Sequence, residues 1–254
     1  MKNIPNYFTL LNLFFGCLAI VFTMQNGIMI TVDSEGTELL YIPERIWLAS
    51  LFIGIAAVVD FLDGFIARLF RSQSEMGKQL DSLADVVSFG VAPAMIIYQF
   101  LRHAFARETG AVDTGFIWLT PAFIIPCAAA WRLARFNIDT SQNNYFTGMP
   151  VPAAGIFIAS FPLIYWNIQA SWIDELMHNR WFLYAIILVV SWLMVSRLPL
   201  MSFKFRDYTV GSNWQRYLLV VISIVSFFLF TWLAIPIAVI AYVILSLLFK
   251  NKFT

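Results

Sequence analysis

Four carboxylates, Asp60, Asp63, Asp81 and Asp85, sit at helical spacing within DFLDGFIARLFRSQSEMGKQLDSLAD, in a chain that is otherwise strongly apolar. Asp60 and Asp63 are three residues apart and Asp81 and Asp85 four apart, so each pair shares one helix face. Between the pairs, Arg71, Ser72, Ser74, Glu75, Gly77 and Lys78 form a polar loop that turns the chain back. Two antiparallel helices would then pool four acids. Ionised carboxylates crowded at low dielectric repel one another strongly. Two divalent cations, Mg2+ or Mn2+, would cancel all four formal charges and receive the oxygen ligands they prefer. A metal pair also suits phosphoryl transfer, where it can hold phosphate oxygens and a leaving group.

Other residues on the first helix fit the same chemistry. Gly64 costs about 1 kcal/mol relative to alanine in a helix, but it lets a ligand approach the backbone. Ala67 is also small, and close helix packing would explain both residues without a ligand. Arg68 is planar and permanently charged, which suits a pyrophosphate; anchoring the helix end at a membrane surface would explain it too.

The elements that position these groups are membrane helices. Hydrophobic residues make up 60% of the 254 and charged residues 12%, with mean hydropathy +0.77. That excludes an ordinary soluble domain. Apolar runs give eight candidate spans, roughly 7–30, 46–68, 81–101, 116–135, 151–168, 181–198, 217–234 and 236–249. The last two are split by Pro236 and can be one broken helix or a hairpin. The expected fold is therefore all-α, a polytopic transmembrane bundle of six to eight spans. We read it as one domain over residues 1–254, with a core at 5–198 and an extra hairpin at 217–249.

With both ends of the chain on one side, that side holds Lys2, Arg68, Arg71, Lys78, Arg132, Arg135, Arg197, Lys204, Arg206, Arg216, Lys250 and Lys252. Only Arg45, Arg102, Arg107 and Arg180 fall opposite, which accounts for all 16 basic residues. The basic side of a membrane protein faces the cytoplasm, so the carboxylates are expected at the cytoplasmic end. A net charge of +1 gives no sign of nucleic-acid binding. No cleavable leader is expected, and the first span stays as an anchor. Cys17 and Cys127 imply no disulfide and read as small core residues. His103 and His178 read as solvated loop residues on the far side. Tryptophans near span ends fit an interfacial belt.

The pattern D-x-x-D-G-x-x-A-R, eight residues, then G-x-x-x-D-x-x-x-D resembles the signature of the CDP-alcohol phosphotransferase family, with every position filled. The resemblance implies that Asp60, Asp63, Asp81 and Asp85 bind metal and that Asp85 is also the general base toward the incoming alcohol. It further implies donor contacts at Gly64, Arg68 and Ser74, with Ala67 and Gly77 inside the same signature. Pro5–Asn6 to Thr9 is similar to the donor-contacting segment before the first family helix, although Pro-Asn also starts ordinary helices. Homodimers are common in the family, so a homodimer is expected by resemblance.

Three further stretches resemble the phosphatidylserine synthase branch: Ser88–Pro93, Ala134–Asn137 and Phe146–Ala154, the last with Met149 where leucine is usual. They imply CDP-diacylglycerol and L-serine as substrates within membrane lipid. A zwitterionic acceptor needs a cation for its carboxylate, and Arg132, Arg135 and Asn137 are candidates. The two arginines would equally suit an acceptor phosphate. The same chemistry on glycerol 3-phosphate, inositol phosphate or choline stays open. A cation transporter would explain the acids but not Gly64 and Arg68.

Overall fold

The computed structural model describes residues 4–25, 29–32, 38–41, 45–69, 74–109, 115–139, 145–202 and 209–250. The basic residues Lys2, Arg71, Lys204, Arg206 and Lys252, and the loop residue Ser72, lie outside these. The chain runs α1 (Ile4–Met24), a hairpin of β1 (Met29–Val32) and β2 (Glu38–Tyr41), then α2 (Ile46–Leu69). Next come α3 (Glu75–Asp85), a wide π-helical stretch (Val86–Val91) and α4 (Ala92–Thr109). Two 3₁₀ turns at 116–123 lead into α5 (Ile124–Ile138). After β3 (Tyr145–Thr147) come α6 (Val151–Asn167), α7 (Ser171–Met177) and α8 (Arg180–Val195). Then β4 (Pro199–Met201), antiparallel to β3, precedes α9 (Val210–Phe230) and α10 (Ala234–Leu248).

Pro5–Met24, Ile46–Ile66, Glu75–Arg107 and Asn213–Leu248 are each long and apolar enough to cross a membrane, and α7 with α8, bent by 65°, would make a fifth. This is an integral-membrane helical bundle. The stretch from 213 to 248 reverses rather than running straight. Thr231 has φ 49, and the ring of Trp214 near the start of α9 lies 4.8 Å from Phe249 just after α10. The break thus falls at Thr231; Pro236 sits in the first turn of α10, where proline is tolerated because that N–H has no helical partner. The other span limits also move. α1 stops at Met24 and β1 follows it, and the fourth span begins as 3₁₀ turns, with α-helix only from Ile124.

Large apolar side chains including Phe61, Phe65, Trp131, Trp192 and Phe228 point outward, while Phe89, Phe100, Ile97, Ile158 and Ile164 fill the centre. Cys17 and Cys127 are exposed and unpaired. They belong to the outward face, not the core, because apolarity alone does not say which side of a membrane helix a small residue takes.

The wide stretch after Asp85 follows from Pro93. Proline lacks the amide hydrogen and crowds the carbonyl four residues back, so the helix opens locally. The Ala92 amide accordingly reaches the Val87 carbonyl, five residues back. On the same side of the bundle, Gly148 turns with φ +77, and a Cβ there would lie 2.5 Å from the Met194 carbonyl oxygen. Gly148 N donates to Leu198 O and Met149 N to Leu193 O, both at 2.9 Å. The Phe146–Ala154 string is therefore explained in large part as the joint that seats α6 against the end of α8.

Candidate active site

Ser74 is extended and caps α3, its hydroxyl accepting from Gly77 N at 3.0 Å. The cap satisfies a free amide of the first turn and starts the helix that carries Asp81 and Asp85. A Cβ on Gly77 would come 3.1 Å from Asn6 Oδ1, so glycine lets the starts of α1 and α3 meet. From the other side α2 brings Asp60 and Asp63 to the same end. Carboxylate oxygens of Asp60, Asp81 and Asp85 lie within 4.8 Å of one another.

Asp63 stands beside this trio, near enough to repel Asp60 and Asp81, and accepts a hydrogen bond from the Thr9 hydroxyl. None of the four is salt-bridged among the described residues. An all-oxygen, like-charged donor set of this kind fits hard divalent cations. It fits no structural role on its own, because unbalanced acids in an apolar bundle are costly.

A cavity of about 660 Å³ opens next to Asp60, Asp63 and Asp81, bounded also by Pro5, Asn6, Thr9, Gly64, Ser74, Glu75, Gly77 and Lys78. A Cβ built on Gly64 would meet nothing within 4 Å. Helix packing therefore does not require this glycine; it borders open space. Arg68 is at the exposed end of α2 and does not line the cavity. The Ala67 backbone continues α2 through this turn.

Two contributors escaped the sequence reading. Asn12 Nδ2 donates to Asp85 Oδ1 at 3.3 Å, and the Asn12 carbonyl accepts from Ser88 Oγ at 3.0 Å. Its signal was available: Asn6, Thr9 and Asn12 mark one polar stripe on an otherwise apolar helix. Lys78 borders the cavity, and its ammonium donates to Asn137 O at 2.7 Å.

The three acceptor candidates separate. Arg135 donates to Val195 O and Ser196 O, each at 2.9 Å, so it closes the last turn of α8. Asn137 Nδ2 donates to Ser82 Oγ at 2.8 Å, and its carbonyl takes Lys78; it ties α5 to α3. Arg132 is buried, faces Asp85 and Tyr242 electrostatically, and has no partner for Nε among the described residues. Of the three, it is the one with a buried donor left without a partner among the described residues.

A match to the CDP-alcohol phosphatidyltransferase model covers residues 2–196, more than three quarters of the chain and all four carboxylates. The chain belongs to this family. Relatives named CDP-diacylglycerol–serine O-phosphatidyltransferase include one from Mycobacterium leprae, 34% identical over 159 residues, which are 60% of this chain and 48% of that protein. One from Bacillus subtilis is 37% identical over 117 residues, 46% of this chain and 61% of the other. One from Saccharomyces cerevisiae is 36% identical over 163 residues, 60% and 51%. The chain spans about half the length of the first of these relatives.

The histidines depart from expectation. His103 lies within α4 and His178 between α7 and α8, both buried, with ring centroids 4.3 Å apart. Arg107 donates to Asp174 Oδ2 at 2.7 Å, and its Nη1 lies 2.6 Å from His178 Nδ1, which also faces the Asp174 carbonyl at 2.8 Å. Loop position misled because α4 runs to Thr109, two turns beyond its expected end.

Proposed function

We propose that this protein transfers the phosphatidyl group of CDP-diacylglycerol to the hydroxyl of L-serine, releasing phosphatidylserine and CMP. The observation that carries the reading is the convergence of Asp60, Asp81 and Asp85 beside a cavity that Gly64 leaves open. The relatives' names support serine as the acceptor.

Asp60, Asp63, Asp81 and Asp85 would hold two divalent cations, Mg2+ or Mn2+. When bound, these would neutralise the acids and the charge that develops on phosphate. The chain's own groups do the rest. Asn6, Thr9, Gly64, Ser74 and Gly77 shape the donor cavity, and Lys78 offers a cation to the pyrophosphate at its edge, with Arg68 one turn past Gly64 on α2. Asp85, held by Asn12, accepts the proton of the serine hydroxyl as that oxygen bonds to the lipid-side phosphorus. The bond from that phosphorus to the bridging oxygen breaks, and CMP departs with the oxygen. Asp85 and Arg132 are near one another and neither borders the donor cavity. Donor and acceptor thus approach Asp85 from different sides, as displacement requires. Arg132 receives the serine carboxylate.

We further infer that residues 1–254 act as one membrane domain whose acidic end faces the cytoplasm. Arg68, Lys78, Arg132, Arg135, Arg197, Arg216 and Lys250 gather at that end, and Arg45, Arg102, Arg107 and Arg180 at the other. A homodimer is part of the same reading.

The test is CMP release from CDP-diacylglycerol by the purified chain with magnesium or manganese and a panel of acceptors. Serine is expected to lead. If glycerol 3-phosphate, an inositol phosphate or choline outruns it, the acceptor assignment is wrong while the transfer chemistry stands. Metal transport without CMP release would end both.

A further inference from the structure

Asn137, at the end of α5, holds α3 at two places one turn apart. Its backbone carbonyl accepts from the Lys78 ammonium at 2.7 Å, and its Nδ2 donates to Ser82 Oγ at 2.8 Å. Ser82 Oγ in turn donates to Lys78 O at 3.2 Å. A hydroxyl can donate one hydrogen and accept another, so the bonds stand together and close a ring of Lys78, Ser82 and Asn137. Asp81 lies between the two gripped positions, on the turn that presents the first acid of α3.

Two observations give this ring more than a packing role. Lys78 precedes Asp81 by three residues, near enough on a helix for the two charges to pair. None of the four acids is salt-bridged among the described residues. The ammonium goes instead to the last turn of α5, where carbonyls lack helical partners and carry partial negative charge. The second observation is that Lys78 borders the donor cavity. An ammonium has three hydrogens; the Asn137 carbonyl takes one, and an anion in the cavity can use another.

We propose that Asn137 is a positioning residue for the donor: through Ser82 and Lys78 it holds the ammonium at the cavity rim, clear of the acids, where an activated diphosphate arrives. This rests on the reading above that places the pyrophosphate in that cavity. The sequence alone put Asn137 with the acceptor. Its hydrogen bonds turn it toward α3 and the donor instead.

The test uses the full chain and CMP release, varying CDP-diacylglycerol and serine separately. Lys78→Met should raise the donor KM about ten-fold, the scale of one hydrogen bond to a charged group. Asn137→Ala and Ser82→Ala cut the same amide–hydroxyl bond from opposite sides. Each should raise the donor KM about three-fold, the scale of one neutral hydrogen bond, and the double variant should raise it no further. Ser82→Thr keeps the hydroxyl and should keep the donor KM. In a Lys78→Met background, Asn137→Ala should add nothing. Serine KM and kcat should hold throughout. An unchanged donor KM in Asn137→Ala overturns the proposal. So does a rise in the serine KM alone, an equal rise for both substrates, or additive single variants. If Asn137→Ala does not fold, Ser82→Ala decides; loss of folding in both assigns the ring to architecture and overturns it equally. If the wild type releases no CMP, the transfer reading falls, and direct titration of CDP-diacylglycerol binding across the same variants decides this one. Absence of donor binding as well defeats both.

Discussion

The two ends of the bundle both gather ionisable side chains, on opposite terms. At the far end Arg107, Asp174, His103 and His178 mix signs, with Arg107 bonded to Asp174 and within 2.6 Å of His178 Nδ1. At the other end Asp60, Asp63, Asp81 and Asp85 share one sign, and the first three border an open cavity. A mixed cluster balances its own charge and can serve as a rivet. A like-charged cluster leaves a deficit that only something from outside can fill. The contrast, more than burial as such, separates a site from a support.

The comparison breaks most sharply at Asp85. Asp85→Asn should cut CMP release by about 10²–10⁴, the range for loss of a general base, while the melting midpoint stays level or rises as like-charge repulsion falls. Near-normal turnover would put the base elsewhere. A smaller effect is expected at Gly64. Gly64→Leu projects into the open cavity, so the donor KM should rise about ten-fold, the scale of a roughly 1–3 kcal/mol steric penalty, with stability kept. An unaltered donor KM would remove the cavity from the donor's path.

The smallest change belongs to the far end. Arg107→Gln should cost about 1 kcal/mol of stability, as partly exposed ion pairs do, and leave both KM values alone. It also carries a pH signature. Burial first, and the charge of Arg107 second, push His178 down to about 4. A folded-state pKa below the unfolded one means that the unfolded chain binds the extra proton first. Stability from this group is full above about pH 6.5 and is lost as pH falls toward 4. Without Arg107 the histidine titrates higher and less is lost. The wild-type advantage in melting midpoint should therefore shrink across that window; a constant gap would show that His178 does not sense Arg107.

Much of the acidic end could be read in advance because its spacing is local. Asp60 with Asp63, and Asp81 with Asp85, need only helical periodicity to share a face, and Gly77 and Ser74 follow ordinary helix-start chemistry. What escaped reading depended on which face met which neighbour. Arg135 looked like a substrate ligand, yet its fork closes two carbonyls at the end of α8. Cys17 and Cys127 looked internal and face outward. Asn12 stood out as part of a polar stripe, but its partner shows only once Asp85 is placed opposite it. The reversal at Thr231 could not be placed by composition, since apolar runs on both sides of it look alike. Pro236, the obvious punctuation, sits inside the helix that follows.

The broadened coil between Val86 and Val91 holds one more residue per circuit than the rods on either side of it. That surplus sets the angular phase between Asp85 below and His103 and Arg107 above. Shortening the stretch by a single position would leave every acid intact and swing the upper half of the rod by about 100°. The rivet and the acidic cluster are thus clocked to each other by one amino acid.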